Sequence, residues 1–339
     1  MTLTSANLDA LRLPLMVAPM SRVSSTELII ASCRAGVMGG LQPMNASDAA
    51  GLEAWLDTIG AAEMDARDRG EPFAPFVVNL YATAGHDQEA HQARLDICRR
   101  RRVPFILSAA GNPKGIVEQA HDWGGRVFHD CTTIKHVERA IAAGVDGLML
   151  VSGGSGGLSG ALNPLAFVAQ ARQMFDGVII LAGGIADGRT MAAALLLGAD
   201  LVCMGTRFIA TKESAASDDY RAMLVESGTD EILYTDAIGG IPGNFLTRSL
   251  VANGLDPKNL AASKGGYALD LPAHVRPWRT LWSAGHTVGL IDDTPTVDEV
   301  VNRLAGEFAS FAVGSDWRAR LDQALRSPRQ PLRAAVPQQ

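Results

Sequence analysis

The sequence predicts a (β/α)8 TIM barrel with a smaller, mainly helical excursion after its eighth strand. Eight short apolar segments alternate with helical segments over the first 212 of the 339 residues. The apolar segments are nearly continuous, which is typical of parallel strands that are buried on both faces. Eight strand–helix units favour a closed barrel, and an open doubly wound sheet remains the alternative.

The eight strands are predicted where short apolar runs end in glycine, proline or polar residues. They cover residues 13–18, 36–41, 75–80, 105–108, 125–130, 147–151, 178–181 and 201–204. Helices between them follow from 3.6-residue periodicity and from capping residues. Asn163, for example, precedes Pro164, which suits the first position of a helix. The predicted helices end near residues 34, 59, 102, 123, 143, 175 and 197.

The regular alternation stops after residue 212, which we take as the end of the barrel domain, 1–212. Residues 213–285 are expected to form the excursion, packed over the barrel mouth, with a helix at 220–227. Residues 286–325 are expected to supply closing helices, because 297–325 show apolar periodicity. Residues 326–339 contain three prolines and are expected to form a flexible tail.

Composition excludes several classes of function. A net charge of -6 argues against binding to nucleic acid or to an anionic membrane surface. No apolar run is long enough to span a bilayer, and the first residues do not resemble a signal peptide. The four cysteines lack metal-finger spacing and are expected to be reduced. We therefore expect a cytoplasmic protein with a small-molecule substrate.

Residues 151–160, Val-Ser-Gly-Gly-Ser-Gly-Gly-Leu-Ser-Gly, are the most distinctive segment of the chain. They connect the sixth predicted strand to a well-capped helix. Glycine lets a backbone approach a ligand closely at such a position, so this segment, the glycine loop, is predicted to contact a ligand. A flexible Gly/Ser linker is the alternative interpretation.

A second glycine-rich site is predicted at the ends of strands seven and eight. Gly183 and Gly184 follow strand seven, and Gly205 and Thr206 follow strand eight. TIM barrels often bind phosphate at these two ends through backbone N–H groups. The phosphate of flavin mononucleotide (FMN) is a natural occupant, although barrel turns also need glycine for steric reasons.

Two other chemistries, serine hydrolysis and metal catalysis, fit the sequence less well. Residues 153–157 fit the G-x-S-x-G pattern, which would make Ser155 a hydrolase nucleophile, but the expected helix does not start directly after it. The seven histidines show no metal-binding spacing, so no metal is expected. Among them, only His129 is predicted to lie at the barrel mouth.

The order of these motifs resembles the nitronate monooxygenase (2-nitropropane dioxygenase) family of FMN-dependent TIM barrels. The segments that carry the resemblance are 18–20 (Ala-Pro-Met), 78–80 (Val-Asn-Leu), 109–113, 129–132, the glycine loop, 182–188 (Ala-Gly-Gly-Ile-Ala-Asp-Gly), 204–211, 243–246 and 291–296. Similar pairs of motifs occur in related flavin-dependent enoyl and quinone reductases. The resemblance therefore implies a flavoprotein oxidoreductase.

The resemblance also implies which residues bind FMN non-covalently. The phosphate would lie on Gly183, Gly184, Gly205 and Thr206. The other residues implied at the cofactor are Ala18, Pro19, Met20, Asn79, Ala110, Asp130, Ser152 and Gly157. Asp130 stands where some relatives have a lysine, so the charge beside the cofactor is expected to differ.

The largest departure from the family pattern lies in the glycine loop. The family usually has Gly-Gly-His-x-Gly there, with the histidine as a base, whereas this chain has Leu158. A hydrocarbon side chain cannot take a proton. Ser155 and Ser159 flank Leu158, and His286 is a further candidate base.

Three interpretations follow from that departure. The protein oxidises preformed nitronates, with O2 as co-substrate; or it is a flavin reductase that uses NAD(P)H and acts on an activated alkene or quinone; or it binds FMN without catalysis. Leu158 also favours a larger apolar substrate.

Overall fold

The computed structural model describes residues 9–82, 88–260, 271–311 and 317–326, and shows a parallel β-barrel surrounded by helices. The barrel strands are β1 (Leu15–Val17), β2 (Gly39–Leu41), β3 (Phe76–Tyr81), β4 (Phe105–Ala109), β5 (Arg126–Cys131), β6 (Gly147–Val151), β8 (Val178–Ala182) and β9 (Leu201–Met204). The sheet order is β1-β9-β8-β6-β5-β4-β3-β2. A parallel bridge from Met16 to Met38 joins its two edges, so the barrel is closed. The predicted TIM barrel is confirmed.

Helices follow the barrel strands and cover their outer faces. They are α1 (Thr26–Arg34), α2 (Ala49–Asp68), α3 (Gln88–Arg101), α4 (Lys114–Asp122), α5 (Ile134–Ala142), α6 (Pro164–Met174), α7 (Gly188–Leu197) and α8 (Thr206–Ile209). Five of them begin at a side chain that accepts a backbone N–H: Ser25, Asp48, Thr133, Asn163 and Asp187. The helix α2 extends nine residues past its predicted end at 59, because Gly60 weakens a helix by only about 1 kcal/mol and good helix formers follow it.

The excursion contains the helix expected at 220–227, and also a second helix and a small sheet that were not predicted from the sequence. Its helices are α9 (Asp218–Glu226) and α10 (Thr247–Ala252). Strands β10 (Ile232–Thr235) and β11 (Gly243–Leu246) form an antiparallel pair, and β11 also pairs with β7 (Gly157–Leu158) of the glycine loop. The strand β7 has only two residues, which is too short for a readable pattern. The excursion is therefore attached directly to the glycine loop.

The excursion has a hydrophobic core of its own. Ile238, Phe245, Leu250, Val275 and Leu281 are buried together, and Trp278 packs against them. The rings of Phe245 and Trp278 lie 5.9 Å apart. This core forms behind one face of the small sheet, and it gives the excursion rigidity that hydrogen bonds alone would not provide.

The closing helices α11 (Val297–Phe311) and α12 (Trp317–Arg326) complete the described chain. A Cβ atom at Gly188, the first residue of α7, would lie 2.2 Å from the backbone N of Phe308, so α11 and α7 are in backbone contact. No described helix is long and apolar enough to cross a membrane. The predicted flexible tail lies almost entirely outside the described residues, which end at 326.

Candidate functional site

One face of each strand points into the barrel lumen, and the register identifies it. On the adjacent strands β5, β6, β8 and β9, the residues paired side by side in register are Asp130, Met149, Ile180 and Leu201. Cys203, two residues after Leu201, shares their face. The pKa of the Cys203 thiol is raised first by burial and then by the Asp130 carboxyl group. Asp130 lies on β5 and Cys203 on β9, and β6 and β8 separate these strands in the sheet, so the two side chains interact through the lumen. Asp130 and Cys203 therefore face each other across the lumen.

Asn79 lies on the same inner face, near the carboxyl end of β3, and is buried. Its Nδ2 donates to the carbonyl oxygen of Leu107 at 3.1 Å, and its Oδ1 accepts from Nε2 of Gln42 at 3.0 Å. A donor on one side and an acceptor on the other fix the orientation of the amide group. One N–H hydrogen of Asn79 remains for an acceptor atom of a ligand.

The serine hydroxyls of the glycine loop are used to hold the loop together. Ser152 Oγ donates to the carbonyl oxygen of Ala182 at 2.7 Å. Ser155 Oγ contacts the carbonyl oxygens of Ser152 and Ala182 at 2.9 and 3.0 Å. Ser159 Oγ contacts the carbonyl oxygens of Ser152 and Gly160 at 3.3 and 3.1 Å. All three serines are buried, and no histidine among the described residues accepts a hydrogen bond from Ser155, so the structure gives no support to a hydrolase nucleophile.

Asn244 of β11 connects the excursion to the glycine loop. Its Nδ2 donates to the carbonyl oxygen of Ser155 at 2.7 Å and to Ser159 Oγ at 3.3 Å. Its Oδ1 is buried without a hydrogen-bond partner. An unpaired buried amide oxygen is unfavourable, which makes it a natural acceptor for a ligand or a water molecule.

In the turn after β8, Gly183 is closely surrounded by other atoms, whereas the next residue, Gly184, borders open space. Gly183 and Gly184 both have positive φ, of 108° and 74°. A Cβ atom at Gly183 would lie 2.5 Å from Ser155 Oγ, whereas one at Gly184 would have no atom within 4 Å. The backbone at Gly184 therefore borders empty space beside the glycine loop, as a ligand-binding turn requires.

The end of β9 meets the end of β1. A Cβ atom at Gly205 would contact Ala18 Cβ and Met20 Sδ, each at 3.5 Å, and Pro19 lies between these two residues. Thr206 is buried at the start of α8, and its Oγ1 accepts from the backbone N–H of Gly285 at 2.9 Å. The hydroxyl hydrogen of Thr206 remains available to a ligand.

Leu158 and His286 lie at different positions along the glycine loop. Leu158 belongs to β7 and is 38% exposed, with Gly243 opposite it in β11. The preceding residue, Gly157, lies near Trp278. His286 is exposed, its backbone N–H donates to the carbonyl oxygen of Gly154 at 3.0 Å, and its ring covers that glycine. His286 thus contacts the loop at Gly154, four residues before Leu158.

Three further residues mark the ends of β4 and β5. Ala110 has a φ of 54°, which a residue with a side chain rarely adopts and which is common near binding sites. Burial raises the pKa of Asp130 to about 8. His129 faces the opposite way: its Nδ1 lies 2.7 Å from Ser108 Oγ, and burial followed by the charge of His136 lowers its pKa to about 4. His129 is therefore a neutral residue of the outer layer and is not at the mouth as predicted.

The structure brings the residues that the resemblance implied to one end of the barrel. Two polar residues of that end, Gln42 and Asn244, were not among the predicted site residues. The signal for Gln42 was its position directly after an apolar strand. Asn244 lay in a glycine-rich segment, but its partner in the glycine loop depends on a strand pairing that the sequence does not show. No cluster of potential metal ligands occurs among the described residues.

A closed parallel barrel with glycine turns at the ends of β6, β8 and β9 has the architecture of TIM-barrel enzymes, whose active sites lie at these strand ends. A family model described as "Nitronate monooxygenase" matches residues 5–307 of the chain. The chain therefore belongs to the nitronate monooxygenase family, and it is an oxidoreductase of the flavin-dependent type.

Individual relatives show two kinds of chemistry. A (3aS,4S,5R,7aS)-5-hydroxy-7a-methyl-1-oxo-octahydro-1H-indene-4-carboxyl-CoA dehydrogenase of Mycobacterium tuberculosis is 30% identical, over 70% of this chain and 64% of its own length. A nitronate monooxygenase of Paraburkholderia phytofirmans is 26% identical, over 73% of this chain and 76% of its own. The chain thus matches just under two thirds of the first relative.

Solved structures share the fold. The nitroalkane oxidase of Streptomyces ansochromogenes superimposes with a TM-score of 0.75 at 23% identity, over 90% of this chain and 99% of that chain. FabK of Thermotoga maritima superimposes with a TM-score of 0.70, also at 23% identity, over 91% and 97%.

Proposed function

We propose that the chain is an FMN-dependent reductase that acts on the activated C=C bond of an apolar carbonyl compound. The observation that carries the proposal is Leu158, a half-exposed hydrocarbon at the position where the family resemblance implies a base. Reduction of an activated C=C bond adds a hydride at one carbon and a proton, taken from water, at the other, so it requires no base at that position. Bound FMN would supply the hydride, and NAD(P)H would be the source of its electrons.

The mouth of the barrel fits FMN on features of its own. The open side of Gly184 leaves room for a phosphate beside backbone N–H groups, and the Thr206 hydroxyl can donate a further hydrogen bond. The spare N–H hydrogen of Asn79, which Gln42 holds in place, suits an acceptor atom of the flavin ring. These residues would bind and orient the cofactor.

The rim of the mouth favours an apolar substrate. Leu158, Tyr234 and Ile241 are each more than a third exposed, and all three lie on or next to the small sheet β7–β11–β10. Tyr234 Oη donates to the carbonyl oxygen of Ser159 at 3.4 Å, so this residue adjoins the glycine loop. The compound named for the mycobacterial relative carries a bicyclic octahydroindene ring, largely hydrocarbon, on a CoA thioester. Half-exposed apolar side chains at a cleft lower the free energy of binding such a substrate.

The test is an anaerobic absorption spectrum of the purified protein with FMN. We expect the flavin bands to bleach on addition of NADPH or NADH, and to return when an α,β-unsaturated thioester or a quinone is added. Absence of flavin bands after FMN is supplied would exclude the cofactor. Bleaching by a nitronate but by neither nicotinamide would exclude the reductase.

Gly184→Ala is expected to weaken FMN binding at least tenfold. The new methyl group would project into the space proposed for the phosphate, and the positive φ adds about 1 kcal/mol of strain. FMN dissociation constants would be measured by fluorescence quenching, with Gly60→Ala as the control. Gly60 also borders open space but lies in α2, away from the mouth. Equal affinity of both variants and the unmodified protein would contradict the phosphate site.

Oxidation of nitronates is a second candidate function, favoured by the match of the family model across residues 5–307. A preformed nitronate is already an anion, so it needs no base at position 158. We expect Leu158→His to raise turnover of neutral nitroalkanes by about tenfold or more, since a general base contributes roughly 10²–10⁴ in rate. The FMN content should not change.

The matched control for that variant is Leu162→His, which adds the same group at an equally exposed leucine outside β7. Turnover of neutral nitroalkanes would be measured by nitrite release. A gain in both variants, or in neither, would show that position 158 does not adjoin the reacting carbon of a nitroalkane.

A further inference from the structure

The carboxyl group of Asp130 is isolated in the barrel lumen. Asp130 lies near the carboxyl end of β5, on the inner face and beside Met149 of β6. Its Oδ1 is buried and has no hydrogen-bond partner. No ion pair among the described residues includes Asp130. A carboxylate in such surroundings has neither a cation nor an N–H group to stabilise its charge.

No charged group among the described residues shifts the pKa of Asp130, which burial alone raises. The thiol facing it is that of Cys203 across the lumen, whereas Cys131 follows it on β5 and points to the outer side; burial followed by Asp130 raises the pKa of both thiols. His129 points to the outer layer and is neutral. With a pKa raised by burial to about 8, the Asp130 carboxyl is protonated at pH 7. It is then an O–H donor and no longer only an acceptor.

We propose that Asp130 binds the flavin as a neutral acid, donating its O–H hydrogen to an acceptor atom of the FMN ring system. The inference rests on the proposed function, because it requires FMN in the lumen. It assigns a protonation state to this contact: FMN binds the protonated protein, and ionisation of Asp130 opposes binding. The flavin ring offers carbonyl oxygens and unprotonated ring nitrogens, and an anionic Asp130 would repel them.

In this proposal, FMN binding and protonation of Asp130 favour each other. A ligand acceptor that takes the O–H hydrogen stabilises the protonated form, so Asp130 stays protonated to a higher pH in the complex than in the free protein. Below the pKa of the free protein, FMN affinity is independent of this group. Above it, binding must take up one proton, and the dissociation constant rises by up to tenfold per pH unit.

The experiment is a measurement of the FMN dissociation constant from pH 6 to pH 10, on the full chain stripped of flavin, by fluorescence quenching. We expect the unmodified protein to lose at least tenfold in affinity between pH 8 and pH 10. In Asp130→Asn, which keeps an N–H donor but cannot ionise, we expect affinity within a few-fold of the unmodified protein at pH 7 and no such loss. Ionisation of FMN itself affects both proteins equally, so it cancels in the ratio of their dissociation constants.

Two further variants secure the interpretation. Asp130→Leu removes the donor as well as the charge, so its affinity should be about tenfold weaker at pH 7 and should lack the loss above pH 8. Cys203→Ala should keep the pH profile of the unmodified protein, which excludes the facing thiol. A pH profile that Asp130→Asn leaves unchanged would overturn the inference and leave the proposed function standing. Failure of FMN to bind at any pH would overturn both.

Discussion

Replacement of Asp146 by alanine is expected to lower the free energy of unfolding by about 3–5 kcal/mol, as found when one partner of a buried ion pair is removed. Asp146 directly precedes β6 at the amino end of the barrel and is buried. Its carboxylate accepts from the backbone N–H of Val127, from Arg126 and from His121, each at 2.8 Å. The substitution would leave the N–H of Val127 and the guanidinium group without this acceptor.

The matched control is Asp122→Ala, an exposed carboxylate at the end of α4, which should change stability by less than about 0.5 kcal/mol. Both would be measured by urea denaturation at pH 7. A change below 1 kcal/mol in Asp146→Ala would show that the network does not hold the amino end of the barrel together.

The hydrogen bonds to Asp146 also make the free energy of unfolding depend on pH. Burial alone would raise the pKa of Asp146, but hydrogen bonds from His121 and Val127 outweigh it and hold the pKa below its ordinary value. A lowered folded-state pKa contributes stability that is complete above the ordinary carboxyl range and is lost as pH falls through the lowered value. The difference between Asp146→Ala and the unmodified protein should therefore shrink at acid pH.

The sequence was sufficient to locate the barrel because its strands carry a local signal. Runs such as Gly147–Val151 and Leu201–Met204 are apolar throughout, and a continuous apolar run of this length indicates a buried parallel strand without knowledge of its neighbours. The glycine turns at Gly183 and Gly205 were readable for a similar reason. Glycine marks a backbone requirement at its own position, and this requirement does not depend on distant residues.

The remaining features depend on partners that are remote in the chain. Gln42 orients Asn79 only because β2 and β3 are neighbours in a particular register. Asn244 reaches Ser155 across 89 residues of sequence, through a pairing with the two-residue strand β7. His129 and Asp130 are adjacent and equally polar, and the register alone places one outside the barrel and the other in the lumen. Alternation along one strand gives two faces but does not say which is inner.

Asp130→Asn is expected to raise the free energy of unfolding at pH 8 by about 2–4 kcal/mol. In the unfolded chain the carboxyl group ionises near pH 3.9, whereas in the folded protein burial raises its pKa to about 8. Between these two values the folded state holds a proton that the unfolded state has released, so stability falls as pH rises. Each unit of difference between the folded and unfolded pKa values corresponds to about 1.4 kcal/mol of stability. Partial hydration of the carboxyl group makes the total loss smaller than this product. Asparagine removes the titration and with it this loss.

Urea denaturation of both proteins at pH 4, 6 and 8 would measure the effect, with Asp122→Asn as the control for loss of one negative charge. The gain in Asp130→Asn should be near zero at pH 4 and should grow with pH, whereas Asp122→Asn should be flat within about 0.5 kcal/mol. A constant difference at all three values would mean that Asp130 ionises normally. Because buried groups with strongly shifted pKa values cluster at functional sites, a confirmed gain would support a role for Asp130 at the site. The FMN affinity of the same variant then decides whether that role is contact with the flavin.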